Sequence, residues 1–119
     1  MSYLLWYDED DDGEKLKQLL KISNPKEVIK KAQQYFNNPD IKVYLSNRKN
    51  KKYAIYDPNK KKMIHFGQMH PPMEDFTFHG NLQRRDNYLA RASNIRGSWK
   101  NDKYSANNLS RNLLWNANE

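Results

Sequence analysis

The sequence of 119 residues contains no cysteine. A disulfide framework and a thiolate metal site are therefore excluded. No apolar stretch approaches the roughly 20 residues that a membrane-spanning helix needs. The opening stretch Ser2 to Tyr7 is too short for a signal peptide and lacks a basic flank and a cleavage site. These absences favour a protein without a membrane segment, located inside a cell or packaged into a particle assembled there.

Motifs for catalysis are also missing. Asp75 and His79 could serve acid–base chemistry, but no nucleophile motif, paired catalytic carboxylate or glycine-rich phosphate loop accompanies them. His65, His70 and His79 are spaced more widely than the ligand pairs of most zinc sites. We therefore expect no enzymatic activity, no catalytic residue, no bound metal and no cofactor.

An acidic run, Asp8 to Asp12, is followed by Gly13 and matches the first half of an EF-hand calcium loop. Position 12 of that loop requires a bidentate glutamate, and this sequence has Leu19 there. The run is therefore more typical of a solvated acidic turn than of a calcium site. It could fold back on the basic remainder of the chain and compete with a negatively charged partner.

Positive charge is concentrated in the second part of the chain. Residues 1–41 hold six Lys/Arg and eight Asp/Glu, a net charge of −2, whereas residues 42–119 hold fifteen and six, a net charge of +9. The two values add to the overall +7. A basic body with an acidic end indicates nucleic acid or another polyanion as a partner, although the same charge could serve solubility alone.

Helix signals come first along the chain. Glu14 to Ile22 predicts a short helix with its leucines on one side. Asn24 is a candidate N-cap, Pro25 fits the first helical position, and Glu27 could reach back to the cap. Apolar residues then recur at helical spacing, which predicts a second helix to about Asn37.

Strand signals follow. Alternation from Ile41 to Ser46 predicts one strand, and Tyr53 to Tyr56 and Met63 to Phe66 predict two more. Asp57 to Lys60 has the sequence of a type I turn. With Gly67 taken as the end of the sheet, these segments form a three-stranded antiparallel meander.

Two further helices complete the chain. Leu82 to about Ser93 is the first, and Ser105 caps a last short helix. The predicted fold class is therefore α+β: a small three-stranded antiparallel meander packed with helices, plus an N-terminal helical arm. We divide the chain into an acidic N-terminal segment and helical arm, residues 1–40, and a basic α+β core domain, residues 41–119.

The candidate nucleic-acid contacts are basic residues on the two turns of the meander and on the predicted helix 82–93. Arginine offers a planar donor fork suited to phosphate. These candidates are Arg48, Lys49, Lys51, Lys52, Lys60, Lys61, Lys62, Arg84 and Arg91. Any single arginine could instead pair with a nearby acid such as Glu74, Asp75 or Asp86.

A second set of residues is assigned a structural role. His79 is expected to position the loop before the helix at 82–93. Aromatic residues could stack on bases, but packing is favoured for them, above all for Trp115 beside Leu113 and Leu114. The residues of this structural set are Asp75, His79, Tyr88, Trp99 and Trp115.

The segment from Phe66 to Trp115 contains Phe66-Gly67, Asp75-Phe76-Thr77 with His79, Arg84-Arg85 with Tyr88-Leu89 and Arg91-Ala92, Trp99, and Leu109-Ser110 through Leu113-Leu114-Trp115. Together these motifs resemble a family of small basic proteins encoded by large double-stranded DNA viruses. The resemblance covers roughly residues 41–115 of the chain. The family is functionally uncharacterised, so it implies a viral origin and no catalytic residues. The loop Met69 to Pro72 departs from the shorter, glycine-containing loop of the pattern.

Two functions from different classes follow. The first is a non-enzymatic, virus-encoded packaged or structural protein that binds nucleic acid through its basic surface. The second is a minor capsid or cement protein that contacts other virion proteins. Both place the protein in the virion or inside the host cell, in its cytoplasm or nucleus. Neither involves a membrane, and the sequence leaves the oligomeric state open.

Overall fold

The computed structural model of the chain describes residues 5–6 and 13–117. The predicted acidic turn Asp8 to Asp12 lies outside these residues. The elements are β1 (Leu5–Trp6), α1 (Glu14–Leu19), α2 (Pro25–Tyr35), β2 (Tyr44–Leu45), β3 (Lys51–Asp57), β4 (Lys62–Gln68), α3 (Phe76–His79), α4 (Leu82–Ser93) and α5 (Ala106–Leu109). A 3₁₀ turn spans Trp99–Asn101, and α5 continues into a π-helical turn, Ser110–Leu114. None of the helices in the described ranges has the length and apolar character needed to cross a membrane.

The sheet has the strand order β1-β2-β3-β4. Strands β2, β3 and β4 pair antiparallel, which confirms the predicted meander and the α+β class. The described sheet also contains β1, which pairs parallel to β2 and was not predicted from the sequence. A two-residue strand is too short to show the alternation that reveals a strand in a sequence.

The turn between β3 and β4 forms as predicted. One carboxylate oxygen of Asp57 accepts hydrogen bonds from the backbone N–H of Asn59, at 2.8 Å, and of Lys60, at 3.3 Å. Lys61 follows with a φ of 56° and brings the chain into β4. The aspartate side chain thus replaces backbone hydrogen bonds that the tight turn cannot make.

Gly67 does not end the sheet as predicted but lies inside β4, where Gln68 still pairs with Lys51. Its φ is +85°, in the left-handed region. A Cβ at this position would lie 2.9 Å from Leu114 Cδ1 and 3.1 Å from two side-chain carbons of Lys52. The glycine is therefore a close-approach residue, because it lets the C-terminal helix pack directly on the sheet.

Helix α2 begins at Pro25 as predicted, but the capping box is absent. The Asn24 side chain makes no cap hydrogen bond. Its backbone N–H, the group predicted to bind Glu27, donates to the Thr77 hydroxyl at 3.0 Å. A contact distant in sequence thus replaces the local one.

The later helices follow the sequence more closely. Helix α4 spans Leu82–Ser93, with the Asn81 side chain accepting from the Arg84 N–H. Ser105 caps α5 by accepting from the Asn108 N–H. Local signals determine these helix starts because each cap residue satisfies a donor within its own first turn.

One hydrophobic cluster contains residues from both predicted domains. Leu19, Ile22, Val28, Ile29 and Ala32 lie in the same cluster as Tyr53, Ile55, Phe66, Leu109, Leu113 and Trp115. The division at residue 40 therefore does not separate two packing units, and the predicted arm is part of the core. Within α1, Leu16 and Leu19 face the core as predicted, but Leu20 is exposed because the helix ends before it.

We predict that Gly67→Ala destabilises the protein by roughly 2–4 kcal/mol, because the added methyl meets both a left-handed backbone and the packed Leu114 and Lys52 side chains. Gly13 has a matching φ of +86°, and no atom lies within 4 Å of the position that an added methyl would take there. Gly13→Ala should therefore cost only the backbone strain, about 1 kcal/mol. Urea unfolding of both variants measures the difference, and equal losses would contradict the close-approach role.

Candidate functional site

A buried ion pair connects the sheet to the segment before α3. Lys52 and Asp75 are 1% and 0% exposed, and Lys52 Nζ lies 3.0 Å from Asp75 Oδ2. Lys52 Nζ also donates to the carbonyl oxygen of Met73. Burial lowers the pKa of Lys52, and the negative charge of Asp75 opposes that shift. Lys52, predicted as a nucleic-acid contact, therefore has no exposed ammonium group to offer.

The second oxygen of Asp75 holds the start of α3. It accepts hydrogen bonds from the backbone N–H of Thr77, at 3.1 Å, and from the Thr77 hydroxyl. The Thr77 hydroxyl also meets Ser23 Oγ at 3.3 Å, and Ser23 Oγ meets the Tyr53 hydroxyl at 2.6 Å. Burial raises the pKa of Tyr53 well above its usual value, so this phenol stays protonated. Sheet, α3 and the approach to α2 are thus joined by one polar network.

His79 lies at the junction of α3 and α4. Its Nδ1 accepts a hydrogen bond from the Asn81 backbone N–H at 2.8 Å, and its ring centroid is 5.3 Å from that of Trp115. Burial, followed by the charge of Arg84, lowers the pKa of His79. Nε2 is buried without a hydrogen-bond partner among the described residues. The imidazole is therefore neutral near pH 7 and orients the loop before α4.

Aromatic packing ties α4 to the C-terminal turn. The Tyr88 and Trp115 rings stack with centroids 4.3 Å apart and an interplanar angle of 12°. Burial raises the pKa of Tyr88, and its side-chain hydrogen bond with Ser110 opposes the shift. Trp99 donates its indole N–H to the Ile95 carbonyl, and the Arg111 guanidinium lies 5.2 Å from its ring. These contacts give Trp99 and Trp115 packing roles.

A cleft of about 630 Å³ opens between the sheet and helices α4 and α5. Its lining includes the buried residues Phe66, Gly67, Leu114 and Trp115 and the polar residues Gln68, Asn107 and Ser110. The charged residues that line it, among those the structure describes, are all cations: Lys51, Lys52 and Arg91. Lys52 is already paired, so Lys51 and Arg91 carry the charge available to a ligand.

The turn before β3, which precedes Lys51 directly, carries two more cations. Arg48 and Lys49 are exposed on this turn, and the Lys51 N–H donates to the Arg48 carbonyl at 3.2 Å. Lys15 of α1 donates to the carbonyl oxygens of Ser46 and Arg48. These two hydrogen bonds hold the turn against α1. We call Arg48, Lys49, Lys51 and Arg91 the cleft rim; of these, Lys51 and Arg91 line the cleft, and Arg48 and Lys49 lie on the adjoining turn.

The remaining predicted contacts lie apart from the rim. Lys60, Lys61 and Lys62 are at the far end of β3, a strand of seven residues that spans about 20 Å. Lys60 forms ion pairs with Asp102 and, at 3.8 Å, with Asp57. Arg84 pairs with Glu74 at 2.9 Å. The structure therefore does not bring both lysine-bearing turns and the α4 arginines together on one surface.

Two polar residues of the cleft were missed from the sequence. Gln68 follows Gly67, the predicted end of the sheet, and no motif in the sequence singles it out. Asn107 lies in the first turn of α5, where its type suggests only a surface position. Its amide donates to the Ala92 carbonyl at 3.2 Å and thereby joins α5 to α4. That long-range contact has no sequence signal.

Comparison with known proteins gives one family match. Residues 41–92 match the model of a family described as a family of unknown function (DUF5754). No curated protein and no solved structure matches the chain. The matched segment contains β2, β3, β4, α3 and nearly all of α4, and thus both partners of the Lys52–Asp75 pair. Within the described ranges, no three His, Asp or Glu side chains gather as metal ligands.

We predict that Lys52→Met destabilises the protein by about 3–5 kcal/mol, because it leaves the Asp75 carboxylate buried without its counter-charge. The double variant Lys52→Met/Asp75→Asn should lose less than the single variant, since no buried charge then remains unpaired. Lys51→Met, on a partly exposed neighbour, should change stability by no more than about 0.5 kcal/mol. Denaturant unfolding of these three variants and of Asp75→Asn alone provides the comparison. Additive losses at Lys52 and Asp75 would show that the pair is not coupled.

Proposed function

We propose that this protein binds nucleic acid, without catalysis, through the cleft rim of Arg48, Lys49, Lys51 and Arg91. The observation that carries the proposal is the charge of the cleft: the charged residues of its described lining are cations only. A ligand approaching it meets Lys51 and Arg91 from two different elements, β3 and α4.

Ion pairing distinguishes the rim from three of the other predicted contacts. Lys52, Lys60 and Arg84 each have a carboxylate partner, which reduces the net attraction they offer to phosphate. Arg91 is exposed on α4 and can present two parallel N–H donors to a phosphate. Neutralised phosphates release counterions, and this release supplies most sequence-independent affinity.

A binding role is also supported by the state of Asp75, the carboxylate considered for acid–base chemistry. Both of its oxygens are engaged, one by Lys52 and the other by the N–H and hydroxyl of Thr77. His79 uses Nδ1 to accept from the Asn81 N–H. These groups hold α3 and α4 in place, which is a positioning task and not a proton-transfer task.

The biological setting belongs to the same proposal. The resemblance to small basic proteins of large DNA viruses suggests a packaged or structural protein, in the virion or inside the host cell. Cations that contact phosphate would suit binding to viral nucleic acid of any sequence.

A second function, contact with other proteins of a virion shell, is favoured by a different surface. Leu20 and Phe78 are 52% and 45% exposed and border one shallow pocket together with Pro25. Large exposed apolar side chains that lie close together are typical of protein contacts. This surface is formed by α3 and the approach to α2, and it does not include the rim.

The test is the salt dependence of binding to a fluorescent single-stranded oligonucleotide. Lys51→Gln and Arg91→Gln should each weaken binding and lower the slope of log affinity against log salt by about 0.7 per lost phosphate contact. Lys62→Gln is the matched control, because it removes the same charge from an exposed position at the far end of the meander.

Two results would contradict the proposal. Equal effects of Lys62→Gln and Arg91→Gln would indicate general charge attraction without a defined rim. Absence of wild-type binding at near-physiological salt would leave protein contact through the Leu20 and Phe78 surface as the better function. Melting temperatures of all variants should stay near that of the wild type, because these side chains are not in the core.

A further inference from the structure

We infer that the cleft receives a single unpaired nucleotide, with its phosphate on Lys51 and Arg91 and its base and sugar inside. The inference rests on the proposed function for the location of the phosphate contacts. It adds the chemical class of the ligand and the residues that recognise the part beyond the phosphate.

The size of the cleft limits the ligand. Its volume of about 630 Å³ lies within the range of sites that enclose small molecules. Bases of a duplex are stacked and paired, so they cannot enter a pocket of this kind without being unstacked. Single strands present bases that can be splayed out and bound individually. The cleft is therefore suited to a free nucleotide or to one nucleotide of a single strand.

The polar residues define a second kind of contact beside the cations. The Gln68 side chain donates its amide N–H to the Pro71 carbonyl at 2.9 Å, and Asn107 donates to the Ala92 carbonyl. These bonds orient both amides and leave their oxygens as acceptors. Amide oxygens accept hydrogen bonds from N–H and O–H groups. The base and the sugar of a nucleotide carry such groups, so these amides can recognise the part of the ligand beyond the phosphate.

The apolar lining suits the flat surface of a base. Phe66 and Leu114 are buried beneath the cleft, whereas Met73, Tyr88 and Ala106 line it and are partly exposed. Ile95, which is 52% exposed, contributes an apolar group on the α4 side. Burying an apolar face here removes it from water while the phosphate stays at the charged rim.

The walls are fixed before a ligand arrives. The Tyr88–Trp115 stack holds α4 against the C-terminal turn, and the Lys52–Asp75 pair holds β3 against the loop that precedes α3. A preformed pocket binds more tightly than one that must order its side chains on binding. The cleft therefore has the rigidity needed to discriminate between ligands of similar charge.

Calorimetric titration with AMP, inorganic phosphate, a short single-stranded DNA and a duplex of the same length tests the inference. AMP should bind more tightly than inorganic phosphate, and the single strand should compete with AMP while the duplex should not. Arg91→Gln should weaken AMP binding about tenfold or more. Gln68→Leu, at an exposed position, should weaken it by about threefold to tenfold through loss of the amide. Lys62→Gln is the control and should bind AMP as the wild type does.

The outcomes separate this inference from the proposed function. If the single strand binds through the rim but AMP does not bind and Gln68→Leu has no effect, the inference fails and the nucleic-acid function stands. If AMP binds with the stated variant pattern and no strand binds, the cleft is a free-nucleotide site and the nucleic-acid function fails. Equal affinity for AMP and inorganic phosphate, or equal competition by the duplex, would also overturn the inference.

Discussion

The Lys52–Asp75 ion pair is the interaction on which the arrangement of the helices depends. Transferring two charges out of water is costly, and the pair offsets that cost only because its remaining polar groups are also bonded. Met73, Thr77 and the backbone supply those bonds. Lys52 is on β3, the middle strand of the meander, and Asp75 caps α3. The pair therefore fixes the position of α3, the first helix after the sheet.

The cleft follows from this placement. Once α3 is held beside β3, the His79–Asn81 hydrogen bond positions the start of α4, and the Tyr88–Trp115 stack holds α4 against the C-terminal turn. Gly67 lets that turn approach the sheet closely. The space that remains between α4, α5 and β4 is bordered by Lys51 and Arg91, so the same packing that stabilises the fold gathers the charges of the rim.

Local signals predicted much of the fold but only part of the site. Asp57, Asn81 and Ser105 act within a few residues of themselves, and the turn or helix start that each forms was predictable. The burial of Lys52 was not predictable, because a lysine in a strand is normally exposed. Its burial requires Asp75, which comes from a distant segment of the chain. The absence of the capping box at Asn24 has the same cause, because the Asn24 backbone N–H donates to the distant Thr77 hydroxyl. Residues whose partners lie far along the chain give no periodic or capping signal.

The central claim is that the rim and cleft, and not basic charge in general, form the binding surface. Amide chemical-shift changes on adding a short single-stranded DNA to ¹⁵N-labelled protein test this most directly. The account predicts changes at Lys51, Gly67, Gln68, Arg91 and Asn107, with the turn from Asn59 to Lys62 unaffected. Changes spread evenly over both lysine-bearing turns, or confined to the Leu20 and Phe78 surface, would contradict it.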